Sequence, residues 1–434
     1  MRRRCIREGI DVKNMKVLVT RLAWGVLFGG ALISSVARLA ADDSPRREVT
    51  RFGTDIDASQ AQAVRVEGGT LAYTAQFLPI TPKGELLGND AESQTQAVLD
   101  HLDAALKLVE SDLSRAVKLN IVVTNAEVAS LVRRALAQRF PAGTQPAVSF
   151  VQSRLRHSEA LVAIDAVSVA ANRAGPGFGR FRTSLLPGSS VSQVTSIRNA
   201  PRLYISGQAE KGMDLAEATA KTLASLKATL DHLGLAHDYV AQAKCFLTPM
   251  SEVKVVEEAF AKAFGTAAPP CVFVEWQSSL PIEIELVVPD LATAKTIHDL
   301  VASGQTPPAR EPLEFITPPG LTASPVFCRV VRVNDPRTIF VSGLYAKDAT
   351  DGAGQVTQVF EQLQEILKAS GSDLRHLAKA TYYVSDNDAS AKLNGLRPKF
   401  YDPQRPPAAS KAQVLGVGIA GRSLTLDMIA VPAK

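Results

Sequence analysis

The chain has 434 residues, of which 46% are hydrophobic and 21% are charged. This composition excludes a disordered or fibrous protein, and the length is enough for about three ordinary domains. The formal net charge is +5, but residues 1–37 carry all of it. The rest of the chain is therefore neutral and offers no basic surface of the kind that binds nucleic acid.

The N-terminal segment has the pattern of an export signal. Basic residues ending at Arg21 precede the apolar run 22–33, and residues 35–37 fit the small-x-small rule for cleavage. We therefore expect residues 1–43 to be a signal peptide with a short linker, and the protein to be periplasmic or extracellular. The apolar run is shorter than the roughly 20 residues of a membrane span. An uncleaved signal that anchors the chain in a membrane is the alternative, and Met15 is an alternative start.

Three segments of the remaining chain repeat one order of elements. Each contains an apolar strand that ends in a small-residue turn, and these strands are 71–76, 203–208 and 339–344. Corresponding residues in them, Thr74, Ser206 and Ser342, are 132 and 136 positions apart. Such a regular spacing predicts three tandem copies of one domain.

Each copy then continues with a helix, a strand, a second helix and two final strands. The first helix is clearest in the second copy, where leucines recur at helical spacing before Gly234. This order predicts an α+β fold in which helices cover one face of a mixed sheet. The other sheet face is apolar, and three copies in one chain can bury it against each other.

Several short motifs recur in the same order within the copies. The second copy has Ile205-Ser206-Gly207-Gln208 and Ile282-Glu283-Ile284-Glu285, the third has Pro407-Ala408-Ala409-Ser410, and the first has Thr74-Ala75-Gln76. In these motifs the chain resembles the RidA (YjgF-type) family of reactive-intermediate deaminases. The second copy resembles the family most and the first copy least.

The resemblance implies a fold and an arrangement of domains. We expect three RidA-like (chorismate-mutase-like) domains at residues 44–172, 173–291 and 292–434. Members of the family are typically homotrimers with a small-molecule cleft at each subunit interface. The tandem copies are therefore expected to form an intramolecular pseudo-trimer around a central barrel, with the chain itself a monomer.

The resemblance also implies hydrolysis of small imines and enamines, without a cofactor or a metal. The family's substrate-binding Arg is missing from all three copies, because its place holds Val148 in the first, Cys271 or, in another alignment of the turn, Pro269 in the second, and Ala409 in the third. The family's Glu survives only as Glu283. We therefore expect either a deaminase of divergent specificity or a non-catalytic small-molecule-binding or scaffold protein that kept the architecture.

The candidate catalytic residues are Glu283, Cys271 and Ser206, which we expect to share a cleft of the second copy. Two of them have a structural alternative. Cys271 could be a small residue in a degenerate pocket, since a nearby carboxylate would raise the pKa of a thiol, and Ser206 could simply serve a turn. A second acidic position recurs as Asp165, Glu285 and Asp427. We expect it to make a polar contact between domains.

The candidate substrate-binding residues are Gln208, Ser342, Asn394 and Arg405. Asn394-Gly395 also reads as a turn, and Arg405 could reach a cleft only if its turn were rearranged. The six His residues lack the spacing of metal ligands, so no metal site is expected.

Overall fold

The computed structural model describes residues 48–188 and 191–433. The expected signal peptide and its cleavage site lie outside the described residues. Among the helices that are described, none is long and apolar enough to cross a bilayer.

Each copy consists of three strands, a helix, a strand, a helix and two strands. The first copy contains β1 (Val49–Phe52), β2 (Ala63–Val66), β3 (Thr70–Thr74), α1 (Ala91–Lys107), β4 (Ala116–Val123), α2 (Ala126–Arg139), β5 (Ala147–Gln152) and β6 (Val162–Ala170). The second copy contains β7 (Gly177–Phe181), β8 (Val194–Arg198), β9 (Arg202–Gln208), α3 (Leu215–His232), β10 (Gln242–Leu247), α4 (Val253–Phe264), β11 (Cys271–Glu275) and β12 (Ile282–Pro289).

A connecting helix, α5 (Leu291–Ala302), leads to the third copy. The third copy contains β13 (Leu313–Ile316), β14 (Val330–Val333), β15 (Thr338–Val341), α6 (Gly352–Ala369), β16 (Leu377–Val384), α7 (Asn387–Leu396), β17 (Ala408–Gln413) and β18 (Leu424–Ala430). The first strand of every copy and α5 were not predicted. These elements are mostly half-exposed or exposed, so their apolar periodicity is weak.

The first helix of every copy begins in the same way. Asp90, Asp214 and Asp351 are its N-caps, and each side chain accepts a hydrogen bond from a backbone N–H in the first turn. The predicted stop signals are confirmed for α3 and α6, because Gly234 and Gly371 follow the last turn with φ of 68° and 84°.

The strands form three six-stranded mixed sheets with one common order. The first sheet is β5-β4-β6-β3-β8-β7, the second is β11-β10-β12-β9-β14-β13, and the third is β17-β16-β18-β15-β2-β1. In each sheet the last two strands are a hairpin from another copy. The hairpin of the second copy completes the first sheet, that of the third completes the second, and that of the first completes the third.

This exchange of hairpins closes a ring. β2 pairs with β15, so that Val64 lies opposite Phe340, although β3 follows β2 after only three residues. Gly68 and Gly69 make this short passage, with φ of 135° and 99°. Hydrogen bonds between strands therefore cross the expected domain boundaries at residues 172 and 291. These boundaries remain predictions of where the sequence repeat begins and ends.

Each sheet has a helix-covered core, and all three share a central one. The central cluster contains Tyr73 of the first sheet, Tyr204 of the second and Phe340 of the third, all nearly or fully buried. The pseudo-trimer is therefore confirmed. The central barrel is not closed by hydrogen bonding, since each sheet keeps two edge strands. Neighbouring sheets are joined by packed side chains and by isolated backbone hydrogen bonds, such as the one from Gly343 N–H to Val148 O at 2.8 Å.

Candidate functional site

A polar cavity lies between the second and third copies. β9 and β12 form one wall, and β17, the segment after α7 and the segment before β14 form the other. Its volume is about 430 Å³. The lining residues are Gly207, Gln208, Ala209, Glu210, Ser225, Glu283, Leu321, Phe327, Arg329, Arg397, Ala409, Ser410 and Lys411. We call this cavity the open cleft.

Two carboxylates, Glu283 and Glu210, line the open cleft, and Glu283 is the one that contacts the adjacent strand. It lies so close to the adjacent strand that a Cβ placed on Gly207 would be 2.0 Å from its Oε1. Oε1 is buried and has no hydrogen-bond partner. Burial raises the pKa of Glu283 to about 7, the Ser410 hydroxyl opposes this rise, and the Glu285 charge adds to it. A carboxyl with a pKa near neutrality can both accept a proton and return it.

Two guanidinium groups also line the open cleft, and sequence analysis missed both. Arg397 follows α7 and is 8% exposed, and Arg329 precedes β14. Their guanidinium carbons lie 4.9 Å from the ring centres of Tyr382 and Phe327, respectively. Over the described ranges neither has a carboxylate within 4.0 Å, and the Nε of each is buried without a partner. Such unpaired guanidinium groups suit an anionic ligand.

Two of the predicted substrate-binding residues belong to the open cleft or to its support. The Gln208 amide donates to Thr229 Oγ1 at 2.9 Å and accepts from Ser225 Oγ at 3.2 Å, so its orientation is fixed. Asn394 does not line the cavity. Its Oδ1 accepts from Lys411 Nζ at 3.2 Å and holds that ammonium group at the rim.

Ser206 and Ser342 play the same structural part in two different interfaces. Ser206 Oγ accepts from the backbone N–H of Ala409 at 2.8 Å and donates to the carbonyl of Cys328. Ser342 Oγ accepts from Val148 N–H at 2.7 Å and donates to the carbonyl of Ala61 at 2.6 Å. Both hydroxyls are buried and fully used in joining one copy to the next, so neither is free to act on a ligand.

Cys271 does not share a site with Glu283. It lies on β11 at the interface with the first copy, where its carbonyl accepts from Gln76 N–H at 3.0 Å. The thiol is buried, donates to Pro269 O at 3.4 Å, and has a pKa that burial raises well above its ordinary value. The expected trio is therefore divided. A cleft combines the last strand of one copy with the penultimate strand of the next copy, not of the same one.

Arg405 also lies away from the open cleft. Its Nε donates to the carbonyl of Arg375 at 3.2 Å, and its guanidinium stacks on Phe315, 5.1 Å from the ring centre. The family's Arg position, Ala409, does face the cavity. The positive charge of the open cleft thus comes from Arg329 and Arg397, which lie outside the family's motif, and from Lys411 at its rim.

The corresponding cleft between the third and first copies is filled. Thr425 stands in the place of Glu283, and a Cβ on Gly343 would be 2.8 Å from its Oγ1. The Tyr345 hydroxyl is buried there, near Thr425 and Arg133. The Arg133 guanidinium lies 4.0 Å from the centre of the Phe150 ring. Aromatic rings and an arginine therefore occupy the space that corresponds to the open cleft.

The cleft between the first and second copies is filled by different residues. The Gln76 amide donates to Phe273 O at 3.1 Å, and Arg156 donates to Gln76 O at 2.9 Å. Arg156 also pairs with Glu257 at 2.9 Å, which neutralises its charge. Ala163 replaces the carboxylate of the open cleft. No group of three or more potential metal ligands occurs in the described part of the chain.

The chain matches a known protein family over two regions. The model of the family described as Endoribonuclease L-PSP matches residues 55–170 and 321–431, more than half of the chain. These residues lie in the first and third copies, so the match does not support our ranking of the second copy as nearest to the family.

Individual relatives are distant and correspond to one copy each. Protein DfrA of Myxococcus xanthus is 28% identical over 112 residues, which are 24% of this chain and 84% of that protein. NMB1025 of Neisseria meningitidis, a member of the YjgF protein family, is 23% identical, with a TM-score of 0.22, and covers 28% of this chain and 96% of its own. YyfB of Yersinia pestis, from the conserved Rid protein family, is 24% identical with a TM-score of 0.23, covering 26% and 90%.

Proposed function

Because the chain belongs to the RidA (YjgF-type) family, described as Endoribonuclease L-PSP, we propose that its open cleft hydrolyses a small anionic imine or enamine. One observation carries the proposal. A buried, unpartnered carboxylate oxygen of Glu283 shares a cavity with two guanidinium groups that have no carboxylate partner within the described residues.

The proposed reaction needs only water and Glu283. Arg329 and Arg397 hold the anionic group of the substrate, and an enamine first becomes the imine by gaining a proton at carbon and losing one from nitrogen. Water then adds to the imine carbon while Glu283 accepts one of its protons, and Glu283 passes that proton to the nitrogen, which gives a carbinolamine. The carbon–nitrogen bond then breaks as the hydroxyl proton moves to the nitrogen, so that ammonia leaves and a carbonyl compound remains. Positioned proton transfer of this kind typically contributes about 10²–10⁴-fold in rate.

The test is ammonia release from 2-iminopropionate, generated in the assay by an amino-acid oxidase. We expect Glu283→Gln to lower the rate about 10²-fold or more, because an amide cannot accept the proton. Glu217→Gln, which changes a carboxylate on the exposed first turn of α3, is the matched control and should keep the native rate. Native protein that releases no ammonia above the spontaneous rate would exclude this reaction.

The second candidate is a non-catalytic binding or scaffold protein. It is favoured by the two filled clefts, in which the architecture persists without the carboxylate. Under this candidate the open cleft still binds a small anion. Calorimetric titration with pyruvate would show saturable binding, lost in Arg397→Met, from a protein that releases no ammonia.

We also propose that the protein is exported and acts as a monomer. The support is the sequence of residues 1–43 and the closed ring of hairpins within one chain. Cell fractionation with N-terminal sequencing tests export, and an uncleaved, membrane-bound chain would favour the alternative that the signal anchors the protein in a membrane.

The monomeric state is tested by light scattering, which should give the mass of one chain. Nucleic acid is not proposed as a partner, since residues after 37 carry no net charge.

A further inference from the structure

Six charged side chains meet at the centre of the molecule, where the three sheets face each other. Each copy supplies one lysine and one carboxylate, and all are at least 93% buried. The lysines are Lys118, Lys244 and Lys379, and the carboxylates are Asp165, Glu285 and Asp427. The expected polar contact between domains thus exists. The lysines were missed, although a charged residue inside an apolar strand was a usable signal.

In two places a lysine of one copy pairs with the carboxylate of another copy at corresponding positions, and in the third place this pair is absent. Lys118 of the first copy pairs with Asp427 of the third at 3.1 Å, and Lys379 of the third pairs with Glu285 of the second at 2.8 Å. Lys118 and Lys379 stand five residues before the ends of β4 and β16, and Gln242 has that position in β10. By the same correspondence Gln242 would face Asp165.

Asp165 consequently has no close lysine. The Gln242 amide donates instead to Thr74 O at 2.8 Å, and the second copy's lysine, Lys244, approaches Asp427 at 3.2 Å. Asp165 keeps only Asn120, at 2.9 Å, and its Oδ1 is buried without a partner. Burial raises the pKa of Asp165 to about 6, against the opposing effect of Lys244.

The cluster has as many lysines as carboxylates, and these side chains surround a small chamber. The chamber has a volume of about 30 Å³ and is lined by all three lysines but only two of the carboxylates, Glu285 and Asp427. Arg202, which is 4% exposed, adds a further charge near its tyrosines and has no carboxylate within 4.0 Å among the described residues. A space of this size holds one or two waters or a single halide ion.

Hydrogen-bond donors are also left over at the chamber. The hydroxyls of Tyr73 and Tyr204 are fully buried and lie close to each other, and that of Tyr204 is also close to Arg202, but none of these contacts has the geometry of a hydrogen bond. Among the described residues Lys244 Nζ donates one hydrogen bond, to Asp427 at 3.2 Å, and lies 3.9 Å from Glu285, so at least one of its three N–H donors is unused. A buried ammonium and two buried hydroxyls without acceptors call for an acceptor between them.

We propose that this central chamber binds one monovalent anion of halide size, chloride in ordinary solution, through Lys244 and the hydroxyls of Tyr73 and Tyr204. The anion balances the one positive charge by which the three lysines and Arg202 exceed the three carboxylates. It would thereby hold together the sheets that carry these three residues, which belong to two different copies.

Bromide replaces chloride and scatters anomalously, so crystals of the full chain grown in sodium bromide provide the test. We expect an anomalous peak in the chamber within hydrogen-bond distance of Lys244 Nζ. We also expect Tm to be about 2–4 °C higher in sodium chloride or bromide than in sodium gluconate of equal ionic strength. A chamber that contains ordered water only, with equal Tm in all three salts, would overturn the proposal.

The matched variants remove hydroxyl groups without removing rings. The double variant Tyr73→Phe/Tyr204→Phe should lose the bromide peak and most of the halide-specific rise in Tm. If the double variant does not fold, Tyr204→Phe alone should at least halve the rise. Tyr345→Phe loses a buried, unpartnered hydroxyl elsewhere and should keep both signals. Full bromide occupancy in the double variant would contradict the assigned ligands.

Discussion

The open cleft and the filled cleft between the third and first copies are built on the same backbone plan but have opposite contents. One has Glu283 and unpaired guanidinium groups around about 430 Å³. The other has Thr425, Tyr345 and an arginine stacked on Phe150. Tandem duplication lets the three interfaces diverge separately, whereas identical subunits must change all three together. The comparison shows one interface that keeps a polar cavity and two in which side chains fill the corresponding space.

The largest effect is expected from adding one methyl group to the open cleft, where it would displace Glu283. Gly207→Ala would place a Cβ within 2.0–2.6 Å of three side-chain atoms of Glu283, so the carboxylate must swing away. We expect ammonia release to fall about 10²-fold or more, since proton transfer depends on that position. The matched change, Gly343→Ala, meets Thr425 Oγ1 at 2.8 Å and should leave release unchanged. A fully active Gly207→Ala protein would remove Glu283 from the mechanism.

A smaller effect is expected from the charge of the open cleft. Arg397→Met removes one unpaired guanidinium, and charge-assisted hydrogen bonds of this kind contribute about 1.5–3 kcal/mol. We therefore expect KM, or the Kd for pyruvate, to rise about 10–100-fold.

Arg405→Met is the matched control for Arg397→Met, because Arg405 stacks on Phe315 outside the cavity. It should change neither constant. An equal rise of KM or Kd in the two variants would mean that positive charge attracts the ligand through the overall electrostatic field of the protein and not through direct contact.

The unpaired Asp165 extends the comparison to the buried charges and gives a pH dependence. Its folded pKa of about 6 lies above the ordinary 3.8, so its contribution to stability is full below about pH 4 and is lost as pH rises through 6. Asp165→Asn does not titrate, and by pH 8 we expect it to be more stable than the native protein by about 2 kcal/mol. Urea unfolding at pH 4.5, 6 and 8 measures the difference, which should grow with pH.

Asp427→Asn is expected to change the stability of the protein in the opposite direction. Its two lysine partners hold the pKa of Asp427 well below its usual range, in spite of burial. We expect this variant to be less stable than the native protein at pH 8, because it leaves buried lysines unpaired. If both variants changed stability in the same direction at pH 8, the assignment of Asp165 as the unpaired member would be wrong.

The smallest effect is expected in the filled cleft. Tyr345→Phe removes a buried hydroxyl without a hydrogen-bond partner, so the free energy of unfolding should change by less than about 1 kcal/mol. Tyr345→Ala removes the ring as well and should cost about 3 kcal/mol through the cavity that it leaves. Urea unfolding checks both, and a large loss in Tyr345→Phe would show that the hydroxyl is used.

The fold could be predicted from the sequence because apolar periodicity and helix stop signals recur three times. The exchange of hairpins could not. The short link from β2 to β3 would suit an ordinary hairpin, and the same apolar faces are buried whichever strand pairs with β2. Only the three-dimensional arrangement of the copies distinguishes the two pairings.

The candidate site could be predicted in part. Glu283 and Gln208 were found because they match motif positions. Cys271 was misplaced because its cleft partner lies in the preceding copy, and Arg397 was missed because it follows α7, outside any motif. Side chains that enter a cavity from unrelated segments leave no spacing in the sequence.

The ring of hairpins imposes an order of events on biosynthesis. β1 and β2 are made first, but their partner β15 emerges only about 270 residues later, which is about 15–50 s at ordinary translation rates. Until then the third sheet does not exist and the first hairpin has nothing to pair with. Ribosome-bound chains that stop before residue 338 should therefore be cleaved by protease near residue 60, and that site should become resistant only when the last copy has been made.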